Sequence, residues 1–435
     1  MGRLLEVNTV LLTKLQDTNV KMNILIAFHP INDWGGIINH TDQLVKGFED
    51  LGHTAQTATF VWSDSTIKSK NSEVTSQDKL NTDFYVPYKG SSCMETAKQF
   101  LNKYDLIIWT IPVPTKSNKN EGNNEWPGLY KSDVQQVIVN HDGNLLTRTP
   151  WIHKIKKHIN GVACVHPCAY GITANFGVNR ALIFNPQDLS QKQPINFTKR
   201  KSGMFSAQTF KAWKHVHELV RAIRYLPDFY KIIMGGGGIE YHYMTSEDKC
   251  KDIYYDIVDG ERRKIWDLAL ENGMSWMGYV TNEERIHISS RVKCVVDPAW
   301  SKSYAAYGDM FSRAFVDATI AGAIPVARNM NMGVNGDALL YKKNVNYFMV
   351  PCNATPITFA NAIIKVNTLE RSEYEKIANA NFEILHHFER SKIAQEYIEL
   401  ADGRPTGYYK KNVIGIDNKA DIAESNKTLK SFFKI

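Results

Sequence analysis

Cysteine is scarce and dispersed. Six residues in 435, Cys93, Cys164, Cys168, Cys250, Cys294 and Cys352, fall far below the density of a disulfide-stapled secreted scaffold, so reduced and mostly buried thiols are expected. Cys164-Val-His166-Pro-Cys168 has the residue types of metal ligands, yet no second cluster completes a structural zinc site. Also missing is any apolar run near the roughly 20 residues that span a bilayer, and the opening MGRLLEVNTVLLTKLQDTNVK has too short an apolar core for a signal peptide. Glu6 stands where a myristoylation signal carries Ser or Thr. These absences lead to the expectation of a soluble, cytoplasmic protein without a transmembrane segment. No Gly-Lys-Ser/Thr follows Gly35-Gly36, which excludes a Walker phosphate loop.

What is present is ordinary globular composition, 43% hydrophobic and 22% charged. At roughly 150 residues per domain the length points to two or three domains. The net charge of +7 favours an anionic partner, whether nucleotide phosphate, nucleic acid or an anionic lipid surface.

The hydrophobic pattern alternates strand and helix twice over, which predicts an α/β protein. Met22 to Phe28 reads as a buried strand, followed by a loop through Gly35 and Gly36 and a helix over Ile37 to Leu51. The two glycines allow either close backbone approach to a ligand at a helix N-terminus or a plain tight turn. Further strands are predicted at Thr54 to Val61, Tyr104 to Trp109, Gln136 to Gly143, Gly161 to His166 and Ala181 to Pro186. The polar, basic stretch 187–202 reads as a linker. Beyond it the strands Gly203 to Ser206, Tyr230 to Met234, Met274 to Val280 and Cys294 to Pro298 restart the pattern, and a helical run is expected from Arg371 to Leu400. The predicted organisation is an extension over 1–21, a first domain over 22–190, a second over 200–395, and a helical segment over 396–435 that crosses back or is partly mobile.

Several positions carry candidate chemistry. The stretch Tyr307 to Val326, YGDMFSRAFVDATIAGAIPV, sets Asp309 and Asp317 eight residues apart. Met310, Phe311, Ala314, Phe315 and Ala318 have helical spacing, so the helix is predicted to begin near Asp309 with both carboxylates on one side. Its first turn, through Met310, Phe311 and Ser312, offers backbone N–H groups to an anionic or hydroxyl-rich ligand. Gly322 ends the helix and Ile324-Pro325-Val326 opens a strand. His141-Asp142 closes another strand, where polar residues point into the crevice at which α/β sheets bind ligands. Lys211 and Lys214 precede the helix His215 to Tyr225. The glycines from Gly235 to Gly238, Gly236 among them, permit close approach or simple flexibility.

This order of motifs resembles the retaining GT-B glycosyltransferases of the E-x7-E type, over residues 22 to 330. The resemblance implies GT-B architecture, two Rossmann-like domains facing a central cleft, with a nucleotide-sugar, expected to be a UDP-sugar, as donor. It further implies retention of configuration, no tightly bound cofactor and no metal. It assigns Asp309 to the hydroxyls of the transferred sugar and Asp317 to the nucleotide ribose. Lys214, with Lys211 in reserve, falls to the donor diphosphate, Gly278-Tyr279-Val280 to the base, and His141 and Asp142 to the reaction centre. Both acids are Asp where the family carries Glu, one methylene longer, and the family's Arg near Ser206 to Gln208 is absent.

Among these transferases, Phe184-Asn185-Pro186, Ala212-Trp213-Lys214 and the segment from Asp317 to Val326 are similar to motifs of phage DNA α-glucosyltransferases. That similarity implies a hydroxymethylated pyrimidine in DNA as acceptor, reached by extruding the base. Arg148, Lys154 and Lys157, with Lys156, would then track phosphates, or else form a solvated helix face. Two other readings stay open, a transferase acting on a polysaccharide or lipid-linked glycan, and a nucleotide-sugar-binding protein without turnover.

Overall fold

A computed structural model of the chain describes residues 20–29, 35–69, 82–111, 126–141, 155–165, 169–170, 173–211, 214–235, 239–301, 307–308, 313–328, 340–342, 345–351 and 354–408. Asp142, Arg148, Lys154, Gly236, Asp309, Met310, Phe311 and Ser312 lie outside the described residues, as do His166, Cys168, the extension before Val20 and the tail after Tyr408. The chain divides into two compact units. One comprises the chain through Gln187 together with the segment from Arg390, and the other spans Asp188–Glu389.

The first unit is built on eight strands, β1 (Asn23–Phe28), β2 (Thr54–Val61), β3 (Lys68–Ser69), β4 (Phe84–Pro87), β5 (Leu106–Ile111), β6 (Gln135–Asn140), β7 (Gly161–Cys164) and β8 (Arg180–Leu182). Their order is β3-β4-β2-β1-β5-β6-β7-β8, and only the β3–β4 pair is antiparallel. A parallel sheet is covered on both faces by its crossovers, so its strands must be apolar on both sides, as NILIAF in β1 and LIIWTI in β5 are. Helix α1 (Gly35–Asp50) connects β1 to β2 and α2 (Ser91–Leu101) follows β4. A polar group in this core is satisfied within it: Gln136, fully buried in β6, accepts the Trp109 indole N–H at 2.9 Å and donates to the Tyr130 carbonyl at 2.9 Å. Its hydrogen-bonding capacity is thereby used internally, which is what makes a buried amide tolerable.

The second unit adds β9 (Lys201–Ala207), β10 (Tyr230–Met234), β11 (Tyr255–Val258), β12 (Glu261–Lys264), β13 (Met274–Trp276), β14 (Val292–Asp297), β15 (Trp300–Ser301), β16 (Tyr307–Gly308), β17 (Ile324–Arg328) and β18 (Phe348–Val350). Six of them form a parallel sheet in the order β13-β10-β9-β14-β17-β18. Its helices are α3 (Val216–Ala222), α4 (Ile239–Thr245), α5 (Ile265–Glu271), α6 (Asn282–Arg291), α7 (Arg313–Ile320), α8 (Pro356–Asn367) and α9 (Arg371–Ile384). The antiparallel β11–β12 hairpin turns on Asp259-Gly260, with φ of 53° and 83°, the left-handed pair that a two-residue turn of this hand requires. This hairpin was not anticipated from the sequence.

The long helical run expected from Arg371 to Leu400 is broken. Helix α9 stops at Ile384, and a new helix, α10 (Arg390–Ala401), begins where the chain re-enters the first unit. The buried positions Tyr374, Ala378, Asn381, Leu385 and Phe388 step by three or four, but the next, Ile393, lies five further on. A single straight helix would carry that face round to solvent.

Helix α10 packs closely on α1. A Cβ at Gly47 would fall 2.4 Å from the Arg390 carbonyl oxygen, and Arg390 binds Asp50 on α1 at 2.6 Å. At an unconstrained helix position Gly→Ala gains up to about 1 kcal/mol from propensity. Here the neighbour is backbone, so Gly47→Ala is expected instead to destabilise by about 1–3 kcal/mol through overpacking. Urea unfolding of the two proteins checks this; a raised midpoint would mean that the helices do not meet as described.

Candidate functional site

In the second unit the polar residues gather at the carboxyl edge of the sheet. Strand β9 ends beside Ser206, fully buried, and Gln208; the Ser206 hydroxyl and the Gln208 amide nitrogen make no hydrogen bond among the described residues. Beyond them the chain runs through Lys211 and Lys214, both partly buried, into α3. Burial pushes the Lys214 ammonium down to about 8, Asp297 at the end of β14 pulls it back up, and Lys211 adds to the depression. Asp297 is itself buried, and its Oδ1 accepts the Ala299 N–H at 3.0 Å. Gly235 allows the loops after β9 and β10 to converge, since a Cβ there would stand 2.1 Å from the Gln208 carbonyl oxygen. The loops after β10 and β13 are joined as well: Gly235 N–H donates to the Gly278 carbonyl at 2.9 Å, and the Trp276 indole donates to the Gly235 carbonyl at 3.0 Å. Tyr279, on the same β13 loop, projects with 85% of its surface exposed.

Two buried ion pairs at this edge were not legible in the sequence. Arg328, the last residue of β17 and 1% exposed, pairs with Glu218 of α3. The same carboxylate lies 3.2 Å from His215 Nδ1, and His217 stands 3.7 Å from Glu240. Burial raises the Glu240 pKa, but the contacts of His217 and Tyr254 outweigh it and hold the group below its ordinary value. His215, His217 and Glu218 bring ligand-type atoms within 4.8 Å of one another, though a cation entering there would have to displace the Arg328 guanidinium.

The second pair concerns Asp317. It is 1% exposed on α7, and Arg285 of α6 reaches its Oδ2 at 2.5 Å. Arg285 also donates to Asn282 at 2.9 Å, inside a helix start fixed by a capping box between Thr281 and Glu284. Asp317 therefore meets a guanidinium directly, a partner the sequence reading missed. The only available signal was the Thr-x-x-Glu start, which places Arg285 one turn into α6. At their far ends the same two helices meet Arg200, whose guanidinium donates to the carbonyls of Ser289 and Val292, at 3.1 and 2.8 Å, and to that of Ala321. Gly322, at φ 70°, ends α7 in the left-handed conformation that favours glycine.

In the first unit Gly35 and Gly36 form the opening turn of α1, and His141 stands directly after β6. His141 meets the ring of His40 edge-on, centroids 4.8 Å apart and planes at 84°. Asn140, just before it, is fully buried, with neither side-chain amide atom hydrogen-bonded among the described residues. Lys157 is a different case. It is exposed, but it sits in the turn before β7, where Asn160 bonds Gln136 near the start of β6. That is the opposite edge of the sheet from His141, roughly 15–20 Å away at about 3.3 Å per strand residue.

Removing one partner of a buried pair leaves an uncompensated charge. Arg285→Leu is therefore expected to destabilise the protein by about 3–5 kcal/mol, whereas Arg262→Leu, at an exposed pair with Asp252, should change it by less than about 1 kcal/mol. Denaturant midpoints of the two variants decide this, and equal shifts would remove Asp317–Arg285 as a buried pair.

Neither a protein-family model nor a curated protein matches the sequence significantly. Solved structures do resemble it in fold. HepE of Anabaena, in complex with UDP-glucose, is 15% identical with a TM-score of 0.58, covering 88% of this chain and 100% of its own. An α-glucosyltransferase in complex with UDP and a 13-mer DNA containing an HMU base is 12% identical with a TM-score of 0.59, over 88% of this chain and 100% of that one. A variant of TarM from S. aureus, in complex with fondaparinux, α-GlcNAc-glycerol and UDP, is 12% identical with a TM-score of 0.58, again over 88% and 100%. These neighbours are GT-B glycosyltransferases, and the likeness identifies the fold of this chain as GT-B, with parallel α/β sheets.

Proposed function

We propose that the protein is a glycosyltransferase that moves a sugar from a UDP-sugar to a hydroxyl acceptor with retention. The observation that carries this reading is the carboxyl edge of the second sheet. There Lys211 and a Lys214 depressed to about 8 follow, along the chain, a buried Ser206 hydroxyl and a Gln208 amide nitrogen that make no hydrogen bond among the described residues. In this reading the two lysines face the donor diphosphate, Asp317 with Arg285 lies at the nucleoside, and Tyr279 is beside the base. Asp309 holds the transferred sugar, with Met310, Phe311 and Ser312 assigned to the same donor. As the bond from the anomeric carbon to the diphosphate oxygen breaks, negative charge gathers on that oxygen. A fixed ammonium in a partly desolvated site stabilises it without reorganisation. His141 and Asp142 belong to the reaction centre on the first unit, where the acceptor hydroxyl must lose its proton. UDP in the neighbouring structures supports the donor class.

For the acceptor we favour a hydroxymethylated pyrimidine in DNA. The net positive charge and the DNA bound by one structural neighbour support it. In this reading Lys157, exposed before β7, would meet the duplex only at phosphates remote from the reacting base.

The test is incubation with a panel of UDP- and GDP-sugars and either hydroxymethylated or plain duplex DNA, read by mass spectrometry. Glycosyl gain on the modified DNA alone is expected. Gain on a glycan and none on DNA would replace the acceptor, and no sugar release from any donor would leave a binding protein. Lys214→Ala should lower turnover about 10²–10³-fold and Asp309→Asn about 10²-fold or more, while Lys157→Ala leaves it unchanged. Lys214 loses its charge as pH rises through about 8. UDP affinity is therefore expected to weaken between pH 7 and 9 in the wild type and to be nearly flat in Lys214→Arg, as measured by calorimetry.

A further inference from the structure

His40 is buried in the middle of α1, and three stretches far apart in sequence converge on it. Its Nδ1 lies 2.8 Å from Asn185 Oδ1, its Nε2 lies 3.5 Å from the Tyr397 hydroxyl on α10, and its ring meets His141 at 4.8 Å. Because an amide oxygen only accepts, the proton sits on Nδ1 and Nε2 is left to accept from Tyr397. Burial lowers the pKa of His40 to about 4, against the Asn185 hydrogen bond that raises it, so the ring is neutral at physiological pH. A neutral ring puts no positive charge beside His141.

Packing alone does not explain this arrangement. A position at a helix–helix contact is filled at lower desolvation cost by an apolar side chain. The hydrogen bonds of Asn185 and Tyr397 instead hold one tautomer and one ring plane, as satisfied buried networks do. His141 meets that oriented ring with the two planes nearly perpendicular.

We propose that His40 is a positioning residue for His141: fixed by Asn185 and Tyr397, its ring sets the orientation of the His141 imidazole at the reaction centre. This rests on the reading of His141 given under Proposed function. A displaced His141 still leaves the donor site of the second unit intact, so the loss falls on turnover and spares donor binding.

The test is UDP release from UDP-glucose, in the presence of hydroxymethylated duplex DNA, by the full-length wild type and five variants: His141→Ala, His40→Ala, His40→Phe, Asn185→Leu and Tyr397→Phe. His40→Ala is expected to lower kcat about 10- to 100-fold with the donor KM within two-fold. His40→Phe, which keeps a ring against His141 but gives up both hydrogen bonds, should stay at least several-fold below wild type in kcat. Asn185→Leu and Tyr397→Phe should each lower kcat several-fold at unchanged KM, and they keep the question answerable should His40→Ala fail to fold. If His141→Ala is inactive while His40→Ala, or both outer variants, turn over within two-fold of wild type, the positioning role is overturned and the site reading survives. If His141→Ala is fully active, or the wild type releases no UDP, the site reading falls and the positioning role falls with it. Equal changes in kcat and KM would mark a merely structural residue.

Discussion

Helices α1 and α10 meet at Gly47 with no room for a side chain, and the candidate chemistry of the first unit depends on that contact. With a Cβ at 2.4 Å from the Arg390 carbonyl, only glycine lets the two helix backbones approach this closely. The approach brings Tyr397 to His40 and so to His141. It also seats Leu400 against Gly161 at the start of β7, where a Cβ would stand 2.6 Å from the leucine side chain. A helix from the far end of the chain is thus part of the wall behind a strand-end histidine.

The second unit solves a different problem. Its polar residues lie at the carboxyl ends of strands that must otherwise be apolar, and its charges are buried in opposed sets: Lys214 near Asp297, Arg328 with Glu218, Arg285 with Asp317. Buried pairs are weak sources of net stability, because desolvation offsets most of their attraction. Their value is orientation, and each set fixes a charged group at the edge where α/β sheets receive ligands.

Much of this fold could be read from the chain. Most strands of both sheets announce themselves as short apolar runs, though β3 and β4 do not, and Gly322 stops its helix as expected. Other features were present but unread. Asp259-Gly260 is a hairpin signal, and the five-residue step between Phe388 and Ile393 marks a helix break. Lys157 precedes its strand, which by itself assigns it to the amino edge. The ion pairs are another matter. Arg285 and Asp317 are 32 residues apart, Glu218 and Arg328 110, and which of many charges meet depends on how helices lie side by side on the sheet. No local period encodes that.

Arg200 holds the carboxyl ends of α6 and α7 together through the carbonyls of Ser289, Val292 and Ala321, while Arg285 and Asp317 join the same helices nearer their amino ends. Two cross-links about one turn apart along a pair of rods resist shear. Neither helix can slide along the other without breaking a buried guanidinium contact, so the pair turns or tilts as one plate. A ligand pressing on Arg285 would therefore be felt at Gly322 and the start of β17.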